Sequence, residues 1–121
     1  MKVKTDQLTD AVLDWAVAKC IGETEEETLD PLTWLHTAKP TGCWDFSTKW
    51  SQGGPIIERE RMTIALDACG WEARCYDGEA EPWVFTGPTP LVAAMRCYVA
   101  SKMGDQVELP DELAQCMATT P

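Results

Sequence analysis

Residues 50–61 bring together the side chains of this chain that are best suited to recognising a ligand. Trp50 and Gln52 precede a Gly-Gly-Pro sequence at residues 53–55, and two glutamates alternate with two arginines at residues 58–61. Glycine reaches backbone angles that other residues avoid, and proline then fixes the direction of the chain. We therefore expect a tight corner that brings Trp50 and Gln52 close to the alternating charges.

Two interpretations of this segment remain open. One is a structural turn that leads into a strand, with the four charged residues as exposed ion pairs. The other is the wall of a binding pocket, in which an indole stacks on a planar ligand, amides donate hydrogen bonds, and an arginine holds an anion. The binding residues in the second interpretation are Trp44, Trp50, Gln52, Gly53, Gly54, Glu58, Arg59, Glu60 and Arg61.

Catalysis has little support in the residue types. If the charged run is extended, Glu58 and Glu60 lie on one face, but acid/base catalysis also requires a suitable separation and shifted pKa values, and the sequence shows neither. His36 is the only histidine. With Cys20 or Cys43 it would form a thiol–base pair, although a lone histidine is more often packed or exposed. We expect no catalytic residues, and a binding protein rather than an enzyme.

Composition and charge restrict the class of protein. The 121 residues match a single domain spanning residues 1–121, and 45% of them are apolar, which is enough for a folded core. Twenty acidic residues against ten basic residues give a net charge of −10. We therefore expect no direct binding to nucleic acid, whose backbone is held by clustered lysines and arginines. The acids cluster near residues 23–30, 77–81 and 105–112, either as a solvated face or as a surface for a basic partner.

The even number of cysteines is compatible with disulfides, but the context argues against them. The N-terminus lacks the apolar run of a signal peptide, and no stretch is long enough to span a membrane. We therefore expect free thiols in a reducing cytoplasm. With no Cys-x-x-Cys pair and one histidine, we expect neither a metal nor a cofactor. The six cysteines are Cys20, Cys43, Cys69, Cys75, Cys97 and Cys116.

The first two-thirds of the chain predict a helix, a loop and a hairpin. Apolar residues at helical spacing predict a helix that starts after Thr9 and stops at Gly22. The stretch from residue 39 to residue 55 is rich in Pro, Gly, Ser, Thr and Trp, and it predicts a long ordered loop of the kind that often binds ligands. Alternating apolar residues predict a hairpin with strands at residues 62–66 and 71–76.

The last third of the chain contains the clearest helix. Thr89 and Pro90 predict its start, an apolar stripe follows, and Gly104 predicts its end. Residues 82–85 predict a short third strand before it, and a short helix is expected from residue 110 onward. Together these elements predict an α+β fold, in which a small antiparallel sheet packs against two main helices, with a long ordered loop.

Two polar features of this helix have competing explanations. The Thr89 hydroxyl caps its own helix, or the free amides at the helix start bind an anion. Arg96 lies within the apolar stripe, where its side chain either reaches solvent or pairs with a buried carboxylate from Glu58 or Glu60. For both residues we expect a structural role.

A resemblance to a known family rests on three parts of the sequence. They are the opening residues 1–5 with residues 13–20, residues 50–60, and residues 87–105. These stretches resemble the ninX-like phage proteins, a family of unknown function. The resemblance covers most of the chain and implies a protein of a tailed phage or a prophage that works in the cytoplasm of a bacterial host. It brings no active-site residues with it.

From these features we expect a small acidic accessory protein of a phage or prophage that binds a host or phage protein. Its acidic surface and tryptophan-bearing loop would make the contact. The alternative is a binder of a small polar, nucleotide-like ligand that uses Trp44, Trp50, Gln52 and Arg59, and a hydrolase of such a ligand is a third hypothesis. A concave pocket containing Trp50 and Arg59 would favour the small ligand, whereas a flat acidic face would favour the protein partner.

Overall fold

The computed structural model describes residues 2–8, 10–21, 46–68, 70–76, 81–109 and 111. The order of its elements confirms the α+β class that the sequence predicts. The elements are β1 (Lys2–Lys4), a 3-10 helix (Thr5–Gln7), α1 (Asp10–Cys20), α2 (Trp50–Glu60), β2 (Thr63–Asp67), β3 (Gly70–Cys75), β4 (Trp83–Gly87), α3 (Pro90–Met103) and β5 (Gln106–Glu108).

The main sheet has three antiparallel strands in the order β2-β3-β4. The predicted hairpin is confirmed, because Asp67 at the end of β2 pairs with Gly70 at the start of β3. The predicted third strand is also present, and it runs to Gly87. The buried face of β3 carries Ala73 and Cys75, which are almost completely inaccessible to solvent. This face packs against α3, as expected for a sheet covered on one side.

Helix α3 lies at the centre of the molecule, and its predicted boundaries are confirmed. The Thr89 hydroxyl accepts a hydrogen bond from the Val92 amide at 3.1 Å, and Pro90 occupies the first turn. Gly104 ends the helix with a positive φ of 92°. Every residue from Ala93 to Ala100 is buried. A helix that is buried on all sides must be enclosed by other elements, and here the sheet and α1 contribute to that enclosure.

Helix α1 and a two-stranded ribbon complete the core. Residues 12–18 of α1 are all buried. The ribbon pairs β1 with β5 in antiparallel register, and Lys2 lies opposite Glu108. Thr5 links the end of β1 to the segment before β5. Its amide donates to the Asp105 carbonyl and its hydroxyl donates to the Gly104 carbonyl, both at 2.8 Å. The sequence analysis did not predict this ribbon.

The prediction for residues 50–61 is wrong. The segment is helix α2, rather than a loop with a Gly-Gly-Pro corner followed by an extended run of charges. Gly53 and Ile56 are buried one helical turn apart, so packing of this face overrides the low helix propensity of glycine and proline. The sharp change of direction comes later, at Arg61, which has a left-handed φ of 53°. Glu58 and Glu60 therefore do not share a strand face.

Several predictions fall outside the described residues. The turn at residues 46–48 precedes α2, so the long predicted loop is shorter at its C-terminal end than expected, and residues 39–45 are not described. The other predictions outside the described residues are the Thr9 cap, the stop at Gly22, His36, Cys43, Trp44 and most of the helix expected from residue 110.

Candidate functional site

A groove of about 350 Å³ lies between the start of α2 and the start of α3. We name it the Trp50 groove, because the Trp50 side chain is 57% exposed and lines it. The remaining walls come from the turn before α2 and from the segment that leads into α3. The lining residues are Ser47, Thr48, Trp50, Pro88, Thr89, Pro90, Leu91 and Val92.

The walls of the Trp50 groove are fixed by buried contacts. The Ser47 amide donates a hydrogen bond to Asp14 Oδ1 at 2.8 Å, and both residues are buried, which holds the turn at residues 46–48 against α1. Gly53 fits tightly between this turn and α3. A Cβ at Gly53 would collide with the Phe46 carbonyl oxygen and would lie 2.7 Å from Leu91 Cδ2. The groove is therefore formed by the fold itself.

The electrostatic character of the groove differs from that of the whole chain. None of its described lining residues is acidic, although acidic residues outnumber basic residues two to one in the whole chain, 20 against 10. Neither α2 nor α3 carries an acidic residue in its first turn. Both helices present their N-termini to the groove, and a helix N-terminus carries a partial positive charge.

The Ser47 hydroxyl has no hydrogen-bond partner within the part of the chain that is described. Ser47 is only 2% exposed, so water does not readily satisfy this group. Buried hydroxyl groups in folded proteins are nearly always hydrogen-bonded. Ser47 lines the Trp50 groove, so a ligand bound in the groove is a possible hydrogen-bond partner for its hydroxyl.

The described members of the predicted binding set are spread along α2 and its C-cap residue, Arg61. Trp50 lines the groove, whereas Gly53 is buried against Phe46 and Leu91. Gly54 lies beside the Trp50 ring, because a Cβ at this position would be 3.8 Å from Trp50 Cε3. Gln52 is half-buried on the same helix and does not line the groove. Trp44 is outside the described residues.

The charged members of the predicted set lie at the opposite end of α2. Residues 58–61 begin eight residues after Trp50, which corresponds to roughly 12 Å along a helix axis. None of them lines the Trp50 groove. The expected approach of Trp50 and Gln52 to the Glu/Arg run is therefore wrong, because a helix separates residues that a tight corner would bring together.

Arg59 and Glu60 join α2 to α3 instead. Arg59 Nη2 donates to the Tyr98 hydroxyl at 3.3 Å, and Arg59 Nε donates to Glu60 Oε2 at 3.2 Å. Lys102 Nζ lies 3.6 Å from the other oxygen of Glu60. Burial raises the pKa of Tyr98 above its usual value, so its hydroxyl stays protonated at neutral pH. This cluster is a surface connection between two helices, and Arg59 is already engaged there.

Arg96 has a structural role, but neither of the two predicted arrangements is present. Its side chain is only 9% exposed, and it contacts neither Glu58 nor Glu60. Nε donates to the Leu8 carbonyl and Nη1 donates to the Thr86 carbonyl, both at 2.8 Å. Burial lowers the pKa of Arg96, and the negative charge of Asp6 partly opposes this effect. The guanidinium thus connects α3, β4 and the N-terminal segment.

A second, more polar cleft of about 320 Å³ lies between the ribbon and β4. It was not expected from the sequence, because its walls come from both ends of the chain. Asp6 and Asp105 both line it, together with Lys4. Within the described residues, no group of three or more His, Cys, Asp or Glu side chains is placed to hold a metal ion.

The described cysteines are free and at least partly buried. The Cys97 thiol donates to the Trp83 carbonyl at 3.1 Å, and its hydrogen bond with Cys75 together with burial raises its pKa. Burial raises the pKa of Cys20 to about 12. Cys20 and Cys97 therefore remain protonated at neutral pH. The hydrogen bond with Cys97 lowers the pKa of the buried Cys75 thiol to about 7, although burial opposes this effect.

Among the described helices, none has the length and apolar character needed to cross a bilayer.

Comparison with known proteins identifies the family. A search of curated proteins finds no match. A family model described as "Bacteriophage P22, NinX" matches residues 4–102. This range includes α1, α2, the three-stranded sheet and all but the last residue of α3. The chain therefore belongs to the bacteriophage P22 NinX family, and it is an accessory protein of phage type.

Proposed function

We propose that this protein is a non-enzymatic binding protein and that the Trp50 groove is its contact site for another phage or host protein. The observation that carries the proposal is the Trp50 side chain, which is 57% exposed beside a concave surface. Tryptophan side chains that fill pockets dominate the binding energy of many protein interfaces. An exposed indole in a preformed groove is suited to that role.

Preorganisation supports the same proposal. The turn at residues 46–48 is anchored to α1, and α2 is locked against the turn through Gly53. A partner that enters the groove therefore does not have to order these elements, and ordering costs reduce affinity. The net charge of −10 adds a preference for basic residues on those parts of the partner that lie outside the groove.

The composition of the groove supports binding rather than catalysis. Its lining, as far as the chain is described, contains no Asp, Glu, His, Cys or Lys side chain that could serve as a general acid or base. The glutamates proposed for acid/base chemistry lie at the far end of α2, and Glu60 is paired with Arg59 and Lys102. The described lining of the groove therefore does not contain the close carboxylate pair that would favour the hydrolase hypothesis.

A second candidate, a small-ligand binder, is favoured by the shape of the groove. Its volume of about 350 Å³ falls at the lower end of the range for small-molecule sites, roughly 300–1,000 Å³. A concave pocket with Trp50 meets one of the two conditions set by the sequence analysis. The other condition is not met, because Arg59 lies outside the groove.

The proposal is tested by affinity capture from phage-infected cells, followed by mass spectrometry. The bait proteins are the wild type, Trp50→Ala, and Tyr76→Ala as a matched control, because Tyr76 is 58% exposed and lies outside the groove. We expect the captured partner to be lost with Trp50→Ala and kept with Tyr76→Ala, while circular dichroism shows that both variants fold. Retention of the same partner by Trp50→Ala, or its loss from both variants, would contradict the proposal.

A further inference from the structure

We propose that the Trp50 groove binds an anionic oxygen group, a phosphate or a carboxylate, carried by a flat ring that stacks on Trp50. This inference rests on the proposed function, because it specifies the chemistry that the groove recognises. The anionic group would bind beside the N-termini of α2 and α3. Three independent features of the described residues support it.

The first feature is the distribution of charge. Two helix N-termini lie at the groove, and the aligned peptide dipoles give each of them a partial positive charge. Proteins commonly place acidic side chains in the first turn to compensate this charge, but neither α2 nor α3 has one. Among the described residues that line the groove, none carries a negative charge.

The second feature is the cap of α2. Its N-cap residue is Lys49, which makes no side-chain capping hydrogen bond. A lysine ammonium has no acceptor, so it is unable to cap the amides as Ser, Thr, Asp or Asn would. Helix α3 differs, because the Thr89 hydroxyl accepts from the Val92 amide. A ligand oxygen at the start of α2 would take the place of the missing side-chain cap.

The third feature is Ser47. Its hydroxyl is buried and has no partner within the described residues, and Ser47 lines the same groove. A hydroxyl group both donates and accepts hydrogen bonds, and rotation about χ1 moves its oxygen. An anionic oxygen in the groove would accept the hydrogen bond that this hydroxyl does not make within the protein.

The ring is assigned to Trp50 for a geometric reason. The indole is large, flat and 57% exposed, and it belongs to the first residue of α2. A ring stacked on it would place an attached anionic group close to the first turn of that helix. A groove of about 350 Å³ has room for one ring and one such group.

The test uses two pairs of probes, in which each anionic compound is matched with a neutral one. AMP is compared with adenosine for phosphate, and indole-3-acetate is compared with indole for carboxylate. Binding is followed by NMR from the shifts of the Trp50 indole and of the amides at the starts of α2 and α3. We expect at least one anionic probe to bind about tenfold more tightly than its neutral partner at low salt, and the difference to shrink as salt increases.

The decisive variant is Lys49→Asp. It places a carboxylate at the N-cap of α2, where aspartate is a preferred cap, so we expect the folded protein to be at least as stable as the wild type in urea. The same carboxylate repels the anionic probe and occupies its site, so we expect the affinity for that probe to fall about tenfold or more. Lys49→Ala serves as the control that removes the positive charge without adding a cap, and a smaller loss is expected.

Three results would overturn the inference. They are equal binding of the anionic and neutral probes, unchanged affinity in Lys49→Asp, and no binding of either anionic probe. In each of these cases the proposed function is decided separately by the capture experiment with Trp50→Ala. If both members of a pair bind equally but Trp50→Ala abolishes their binding, the groove is a binding site without an anion subsite.

Discussion

Two adjacent glycines in α2 are expected to respond in opposite ways to the same substitution. Both Gly53 and Gly54 lie inside a helix, where alanine is intrinsically preferred. A Cβ at Gly53 would collide with the Phe46 carbonyl oxygen and crowd Leu91 Cδ2 at 2.7 Å. A Cβ at Gly54 would meet only Trp50 Cε3 at an ordinary contact distance of 3.8 Å. The pair therefore separates helix propensity from packing.

The magnitudes follow from these contacts. Replacing a helical glycine by alanine contributes about 0.5–1 kcal/mol of stability at both positions. At Gly53 this gain is offset by overpacking, which costs about 1–3 kcal/mol and falls at the upper end here because a backbone carbonyl does not rotate out of the way. We expect Gly53→Ala to lower the free energy of unfolding by about 1–2 kcal/mol and Gly54→Ala to raise it by about 0.5–1 kcal/mol.

The assay is urea unfolding followed by circular dichroism, with the slope of the transition checked for each variant. A common slope shows that the variants differ in stability and not in the nature of the unfolding transition. We expect a gap of about 1.5–3 kcal/mol in the free energy of unfolding between the two variants. If Gly53→Ala is as stable as Gly54→Ala, the close packing of α2 on the turn at residues 46–48 is refuted, and with it the rigidity of the Trp50 groove.

Two further predictions concern buried polar groups. Arg96→Met is expected to lower the free energy of unfolding by about 2–4 kcal/mol, because two hydrogen bonds from a charged donor are lost, and urea unfolding measures this change. Burial raises the pKa of Cys20 from 9.0 to about 12, so the folded state holds this proton more tightly than the unfolded state. The stability from Cys20 is therefore present below pH 9.0 and is lost as the pH rises toward 12. Cys20→Ala should accordingly lose less stability than the wild type between pH 9.0 and about pH 12 in reductant.

Each of these predictions has a control. Arg74→Met removes an exposed arginine that pairs with Glu72 across 2.8 Å on the sheet, and stability should hardly change. If Arg96→Met is equally harmless, the bridge to Leu8 and Thr86 does not contribute to folding. For Cys20, parallel loss of stability in the wild type and Cys20→Ala would show that other groups, such as Tyr98, cause the alkaline transition.

The parts of the fold that were predicted correctly have strong local signals. Helix α3 has a Thr-Pro start and a glycine end, and its apolar residues lie between them. The hairpin has apolar alternation on both sides of a short turn. In these segments local propensity and tertiary packing favour the same structure, so the sequence is sufficient.

Helix α2 was not predicted because local propensity and packing disagree there. Two glycines and a proline within 11 residues favour a turn when considered alone. The glycine at position 53 is required for a different reason, since a side chain there would strike the Phe46 carbonyl. A contact between residues in different elements leaves no periodic signal. The three-residue strands of the ribbon are too short to show alternation.

The candidate site was predicted only in part for the same reason. An exposed tryptophan at position 50 agrees with the sequence analysis. Its partner wall at residues 88–92 lies almost 40 positions later, and nothing in the sequence connects the two. The Thr89-Pro90 pair was recognised as a helix start, which was the available signal. The packing of α2 against α3 was not predicted, and this packing places the N-termini of both helices at one groove.

The pairing of β1 with β5 makes the described fold suitable for circular permutation. The first and last described strands lie side by side, so a short peptide joining them would span only a small gap. The exposed turn near Ala68 offers a natural place for new termini, since it connects adjacent strands at the surface. A circularly permuted chain opened there would keep every helix–sheet contact and the Trp50 groove, while β2 and β3 would become its two ends.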